Sequence, residues 1–575
     1  MYIMGQIYKM IGSRPGTGSL LCAALVLSGL LSSCGFLALD ESVYNSTDYQ
    51  FASFSNVKKV TANIYSYVLP GYGDVEGTML DAASDDAIYA WSTGGIKKFY
   101  DGSWNAGDLV DDTWGRWYSA IAQANYFLEN CPDDFPDTRY QERYKEYRAE
   151  LVNYPFEIRA LRAYFHFELL RRYRNIVIAD RTFLPEEVNG LVPSSFDETV
   201  GWIVDECDQV ARRLPDTYKG TYSGETARVT KGMALALKSR VLLYAASPLN
   251  NPEDSKEKWL AAASAAKDVI DMGVYALVDE ETVNNVNASG LIFTRYNAAD
   301  NSVEAANFPI GYEGGNSGLC PTMNLVEAFD LADGTPFDWN NAEHRAIALD
   351  PSKRDPRLAK TVLMNGMPFK NTVIQSWYGG LNGLPKEGAT PTSFYMRKHL
   401  KEDTDLIVGS TTSYQHYFPL MRYAEIVLNY AEALFEAERN ADFKGMDGGV
   451  LYALSPREAV NMVRARSGMP GIMETGAAFR KRMRNERRVE LALEGHRFWD
   501  VRRWKTGDAS REIYGLAVWR NETYEETEDG YAVSESFTAE KVLVQSRVWE
   551  DRMYWYPVAD SELYKNPNLI QNPGW

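Results

Sequence analysis

Segments at about 56–69, 112–130, 138–174, 197–214, 228–246, 256–272, 421–438, 456–467 and 477–504 place apolar residues at i, i+3, i+4 and i+7. That spacing lays a stripe along one face of an α-helix, and the stripe has to be buried against another element. Helices are therefore expected to dominate both ends of the chain. Ser255 before the segment 256–272 and Gly273 just past it are helix start and stop signals. Helix pairs recur at roughly 30–40-residue spacing without a strict sequence repeat, which suggests degenerate tetratricopeptide-like units. The expected fold is mainly α, tetratricopeptide-like pairs forming one body, with a few short strands.

Two regions break the helical pattern. Met79 to Asp111, and an insertion at about 275–416, are rich in turn-forming residues with only short apolar runs such as Leu291-Ile292-Phe293. Loops on a rigid body carry binding residues disproportionately, so these two regions are the expected ligand face. After Thr506 comes a β-leaning, Tyr-rich segment, then an Asn/Pro-rich tail from Asn566 to Trp575.

The N-terminus has Lys9 and Arg14, an apolar run from Leu20 to Leu31, then Ser32-Ser33-Cys34. These are the charged, apolar and small-residue regions of a secretory leader, and the apolar run is shorter than the roughly 20 residues a spanning helix needs. Leu31-Ser32-Ser33-Cys34 looks like a lipobox, in which cleavage before the Cys leaves it lipid-modified at the new N-terminus. Residues 1–33 are thus expected to be a signal peptide, 34–55 a lipidated tether, and 56–575 the body.

A net charge of −18, from 60 Lys+Arg against 78 Asp+Glu with no long basic run, argues against nucleic acid as a partner. Cys131, Cys207 and Cys320 are widely spaced, and the five His show no ligand spacing, so no zinc site or transition-metal enzyme is signalled. No cofactor is expected, although a structural Ca²⁺ held by scattered carboxylates and carbonyls leaves no sequence signature. The chain lacks G-x-S-x-G, a GxGxxG after a strand, and G-x-x-x-x-G-K-[ST].

Six segments decide the family resemblance: Glu157 to Phe167, Arg228 to Gly232 with Arg240 to Pro248, Arg422 to Ala433, Val460 to Gly468, Asn485 to Asp500, and Asn566 to Trp575. In this order behind a lipobox, they resemble the SusD/RagB family of outer-membrane nutrient-binding lipoproteins, nearly end to end and most weakly through 275–416. The resemblance implies a surface-exposed, lipid-anchored protein of the outer membrane. It would bind oligo- or polysaccharide and deliver it to a SusC-like TonB-dependent β-barrel transporter, without catalysis. A peptide-binding member of the same family and a secreted helical polysaccharide-degrading enzyme are the alternatives.

Glycan-binding relatives use aromatic and polar residues from the N-terminal loop and the central insertion. By order along the chain, the resemblance implies Asp81, Asp85, Tyr89 and Trp91 from the first region, and Tyr296, Tyr312, Asn316, Trp339, Trp377 and Tyr378 from the second. The residue types suit the chemistry, because aromatic rings cover flat sugar C–H faces while Asp and Asn meet the hydroxyl rim. Trp104 and Trp114 read instead as plugs that pin loops to the body.

Within 484–500, Glu486, Glu490 and Glu494 alternate with arginines at helical spacing. The density suggests a face packed against the C-terminal segment through buried Arg–Glu pairs. Glu486 and Glu490 as a glycosidase acid/base pair fit poorly, since adjacent turns of one helix rarely put two carboxylates on opposite sides of a sugar. His496 and Asp500, also four residues apart, suit a hydrogen-bonded packing role better than a metal.

Overall fold

The computed structural model describes residues 46–219, 227–279, 285–527 and 530–575. The leader and Cys34 lie outside them. The body is mainly helical: α1 (Phe54–Ser66), α2 (Trp114–Asn130), α3 (Tyr144–Leu151), α4 (Tyr154–Tyr173), α5 (Phe196–Ala211), α6 (Lys231–Ala246), α7 (Lys256–Asp271), α8 (Tyr423–Glu438), α9 (Pro456–Arg466), α10 (Gly476–Glu490) and α11 (Arg497–Arg503). Along the stack α2 lies on α4, α4 on α5, α5 on α6, α6 on α7 and α7 on α8. Each helix thus buries its stripe mainly against its neighbours, in the manner of tetratricopeptide-like pairs.

Local signals set the ends. Ser195 and Glu198 form a reciprocal capping box at the start of α5, and Ser455 with Glu458 does the same for α9. The segment 138–174 is two helices, because Pro155 in the first turn of α4 lacks the N–H that would continue the ladder from α3. The segment 477–504 is likewise two helices, parted where Leu493 takes φ +58° and Gly495 φ +75°. That turn aims Glu494 at Arg422 and Lys398, and frees the Gly495 N–H for Asp81.

The central helix α4 is buried almost all round. Its charges are tolerated because each is paired: Arg162 with Glu206 at 3.0 Å, Arg172 with both Asp111 at 3.0 Å and Glu168 at 2.7 Å, and Glu157 with Arg228. The expected tether ends sooner than residue 55. Ser46 caps a short helix, Thr47–Gln50, and Phe51 is buried against Tyr126 and Phe127.

The strands are β1 (Ala87–Tyr89), β2 (Leu291–Tyr296), β3 (Leu319–Pro321), β4 (Tyr417–Arg422), β5 (Glu512–Thr527) and β6 (Gly530–Ser546), with a few two- or three-residue pairs besides. β1 pairs antiparallel with β3, and β2 with β4. Residues 421–422, expected in a helix, close β4. The β-leaning segment is a long hairpin of β5 and β6, paired from Glu512–Ser546 to Thr527–Gly530, with a bulge that shifts the register between Ile513 and Tyr514. Its base buries Ile513, Leu516 and Val518, whereas Trp519 and Tyr524 farther out are exposed.

One apolar core runs through the helices from Phe51 to Val558, and a satellite of Phe308, Leu363, Phe369, Ile374, Tyr395 and Leu406 supports the insertion. Cys131, Cys207 and Cys320 are free thiols, the last two buried. Among the described residues no helix is long and apolar enough to cross a membrane.

Candidate functional site

The segment leading to Trp91 is fixed from below by charge. From α10 and the start of α11, Arg488 and Arg497 grip Asp85 at 2.8 and 2.7 Å, and Arg488 also takes Asp86 at 2.6 Å. Burial alone would raise the Asp85 carboxyl, but the two guanidiniums override it and hold the group at about 2. Asp81 accepts the Gly495 N–H at 3.1 Å, and burial, with Asp86 adding repulsion, pushes its carboxyl up to about 7. Asp81 and Asp85, expected at a sugar rim, are therefore buried scaffold residues. Arg547 completes the clamp by donating to the Ser84 and Ala87 carbonyls at 2.7 and 3.1 Å.

From this base β1 runs along β3, with Tyr89 opposite Leu319, and Ala90 N–H donates to the Gly318 carbonyl at 2.9 Å. Tyr89 is half-buried against the core. Trp91 emerges half-buried just beyond, and its indole Nε1 donates to the Asn316 carbonyl at 2.8 Å. Gly388, at φ +75°, lies so close to the indole that a Cβ there would sit 2.7 Å from the ring. Trp91 thus joins three loops while part of its ring faces outward.

The same loops carry other expected residues. Asn316 turns its side-chain amide to the Ala305 carbonyl, so its backbone rather than its amide serves Trp91. Asn382 donates to the Ile310 carbonyl at 2.6 Å, and Gly311 approaches the Leu381 carbonyl too closely for any side chain, which locks the Tyr312 loop onto the 375–390 loop. Tyr312 shares a hydrogen bond with the Thr372 hydroxyl at 2.6 Å and packs edge-on against Phe369. Trp377 lies 5.2 Å from Phe537, and the Arg520 guanidinium stands 5.7 Å from its ring. Tyr378 is 63% exposed, and its N–H donates to the Val518 carbonyl at 2.8 Å.

Trp91, Tyr312, Asn316, Trp377 and Tyr378 therefore belong to one connected set of loops. Arg520 and Phe537, which back Trp377, come from the β5–β6 hairpin outside both loop-rich regions. The sequence marks that segment only as β-leaning, and nothing in it singles out these two residues. Exposed Lys386 and Glu387 directly precede Gly388, so the surface offers aromatic faces beside charged hydrogen-bonding groups.

Two expected residues stand apart. Trp339 packs near Phe337, and its carbonyl accepts from Arg345 at 2.9 Å. Tyr296, 48% exposed, closes β2 edge-on to Tyr417 and lines a different cavity. Trp104 and Trp114 are buried, the former among Phe99, Tyr556 and Trp575.

Glu486 and Glu490 are caged. Arg357 donates to both, at 2.5 and 3.0 Å, Arg464 to Glu486 at 2.8 Å, and Arg422 and Arg466 to Glu490. Their arginines come from the insertion, from β4 and from α9, not from the C-terminal segment. Asp500 holds Arg487 and Arg503, at 2.9 and 2.7 Å. Among the described residues no group of three or more His, Cys, Asp or Glu side chains is placed to hold a metal ion.

Residues 279–575 match the model of the SusD family. A SusD-like protein from Bacteroides fragilis is 26% identical with a TM-score of 0.72, over 92% of this chain and 98% of its own. A SusD-like carbohydrate-binding protein from the same organism is 26% identical with a TM-score of 0.71, over 90% of this chain and 99% of its own. A laminarin-binding SusD-like protein shares the fold at 20% identity with a TM-score of 0.59, over 91% of this chain and 99% of its own. No curated protein matches the chain.

Proposed function

The chain belongs to the SusD family, and from that premise we propose that it is a lipid-anchored, outward-facing protein of the outer membrane that binds oligo- or polysaccharide and passes it to a SusC-like TonB-dependent barrel. The observation that carries the reading is the loop surface of Trp91, Trp377 and Tyr378 on a charge-clamped base. Aromatic rings beside polar groups suit the flat C–H face and hydroxyl rim of a sugar ring. The role in this reading is capture rather than turnover, and the one carboxylate pair weighed for hydrolysis, Glu486 and Glu490, is sequestered by arginines. No Ca²⁺ or other cofactor is part of the proposal.

A stacked sugar covering about 80 Å² of the Trp91 ring contributes roughly 2 kcal/mol at about 25 cal/mol per Å², or about thirtyfold in affinity. Trp91→Ala is expected to lose that much retention of a bound glycan in affinity electrophoresis, and to lower the melting temperature because Trp91 also ties loops together. Tyr378→Ala is the cleaner companion, expected to weaken binding with little change in melting, since the side chain is mostly in solvent. Full retention in both variants would sink the loop surface as the glycan site. Sustained release of reducing sugar by the parent would favour the hydrolase instead.

Anchoring and partnership are tested together. Extraction of the outer-membrane fraction in mild detergent is expected to bring down a large β-barrel protein with this chain, because a lipid-anchored protein without a spanning element cannot itself move solute inward. Cys34→Ala is expected to leave that fraction or stall in processing. A mature Cys34→Ala protein that stays in the membrane, or a crosslinked parent recovered alone, contradicts the proposal.

A further inference from the structure

A second opening lies away from the Trp91 surface, with no lining residue in common with it. It has a volume of about 530 Å³ between α1, α4 and β2, and is lined by Lys58, Tyr65, Tyr154, Glu157, Arg295 and Tyr296 among others. That is within the ordinary range for a small-molecule site. Most groups around it are committed: the Tyr65 hydroxyl donates to Glu157, the Tyr154 hydroxyl to Glu150, and Arg228 is bound to Glu157. Arg295 differs. Among the described residues its buried Nε donates to nothing, and no carboxylate stands within ion-pair reach of its guanidinium. Burial, with Arg116 adding repulsion, lowers its pKa, and the one nearby acid, Asp74, already accepts from Gly71 N–H at 2.9 Å. In a chain of net charge −18, a guanidinium on a cavity wall without a direct ion-pair partner marks a place for an anion.

We propose that this cavity is a second saccharide site and that it takes a carboxylate-bearing sugar, with the Arg295 guanidinium clamping the carboxylate and the exposed Tyr296 ring covering the sugar face. A guanidinium fork matches a carboxylate with two parallel hydrogen bonds, and the 48% exposure of Tyr296 leaves ring surface for contact. The choice of a sugar rests on the glycan-binding reading. The charge requirement rests on Arg295 alone.

Trigalacturonate, its methyl ester and sodium acetate are titrated against the mature full-length protein, with melting temperatures read in parallel. Trigalacturonate is expected to bind, the uncharged ester to bind at least about tenfold more weakly, and Arg295→Met to lose trigalacturonate by a similar factor while melting normally. Arg295→Lys, which keeps the charge without the fork, should fall between. Trp91→Ala is expected to leave trigalacturonate binding intact while losing neutral glycan, which separates failure of this site from failure of the loop surface. No trigalacturonate binding, equal binding of the ester, competition by acetate at equal concentration, or loss in Trp91→Ala but not Arg295→Met would each overturn the proposal.

Discussion

Glu490→Ala is expected to destabilise the protein by about 3–5 kcal/mol, the usual cost of removing one member of a buried charge cluster. Glu490 is fully buried and accepts from Arg357, Arg422 and Arg466, which come from three separate elements. Alanine removes the shared acceptor and leaves cationic groups facing one another in a medium that screens them poorly. Against a total stability typically of about 5–15 kcal/mol, the loss is large. Urea midpoints of the parent and Glu490→Ala measure it, with Glu198→Ala as a reference for an exposed capping carboxylate, expected to shift the midpoint far less. A midpoint shift no larger than that of Glu198→Ala would mean the cage is not a stabilising feature.

The second large effect is with acid. Burial lowers His166 from its usual 6.5 to about 3, and burial with Lys398 nearby lowers His399 to about 4. Below pH 6.5 the unfolded chain takes up these protons and the folded protein does not, so stability falls with pH. Asp81 works the other way. Its folded value of about 7 lies above its usual 3.8, and burial likewise raises Asp74 to about 6, so between those limits the folded protein holds the extra protons, and the two acids largely offset the two histidines down to about pH 4.5. Below that, Glu490 and Glu432 join the histidines. Burial opposes their ionisation, but Arg422, Arg466 and Arg357 hold Glu490 at about 2, and Arg503 does the same for Glu432. Their stabilisation is complete above 4.5 and is lost as pH falls toward 2.

Each excess proton on the unfolded chain costs a little over 1 kcal/mol per pH unit, so three acting together between pH 4 and 3 remove about 4 kcal/mol. Denaturant unfolding at pH 6, 4.5 and 3 should give similar stability at the first two and a steep fall at the third. A flat profile to pH 3 would contradict the burial of these ionised groups.

The helices were legible because 3.6-residue periodicity survives wherever one face is buried, as in α5 and α7. It could not place the breaks at Asn153 and Leu493, where proline chemistry and a left-handed turn override a continuous pattern. In 484–500 the spacing announced paired charges but not their partners. Arg488 meets Asp85 and Asp86 from the other end of the chain, and nothing local encodes that. For the same reason Asp81 and Asp85 read as loop acids available to a ligand when they are buried anchors. Trp91 and Trp377 were legible as loop aromatics without an apolar stripe to bury them. Arg520 and Phe537 were not, because the outer part of the hairpin has no buried face from which a strand pairing could be read.

The clamp on the Trp91 loop also imposes an order of events. The contact between Arg488 and Asp86 closes a span of 402 residues, and Arg547 reaches back 463 residues to Ser84. Closing loops of that length costs chain entropy before any contact rewards it. While the ribosome is still making the first four-fifths of the polypeptide, the acids at 85 and 86 have no guanidiniums to bury against. The recognition loop is therefore among the last parts to become rigid, and the nascent chain stays incompletely packed until almost its whole length has been made.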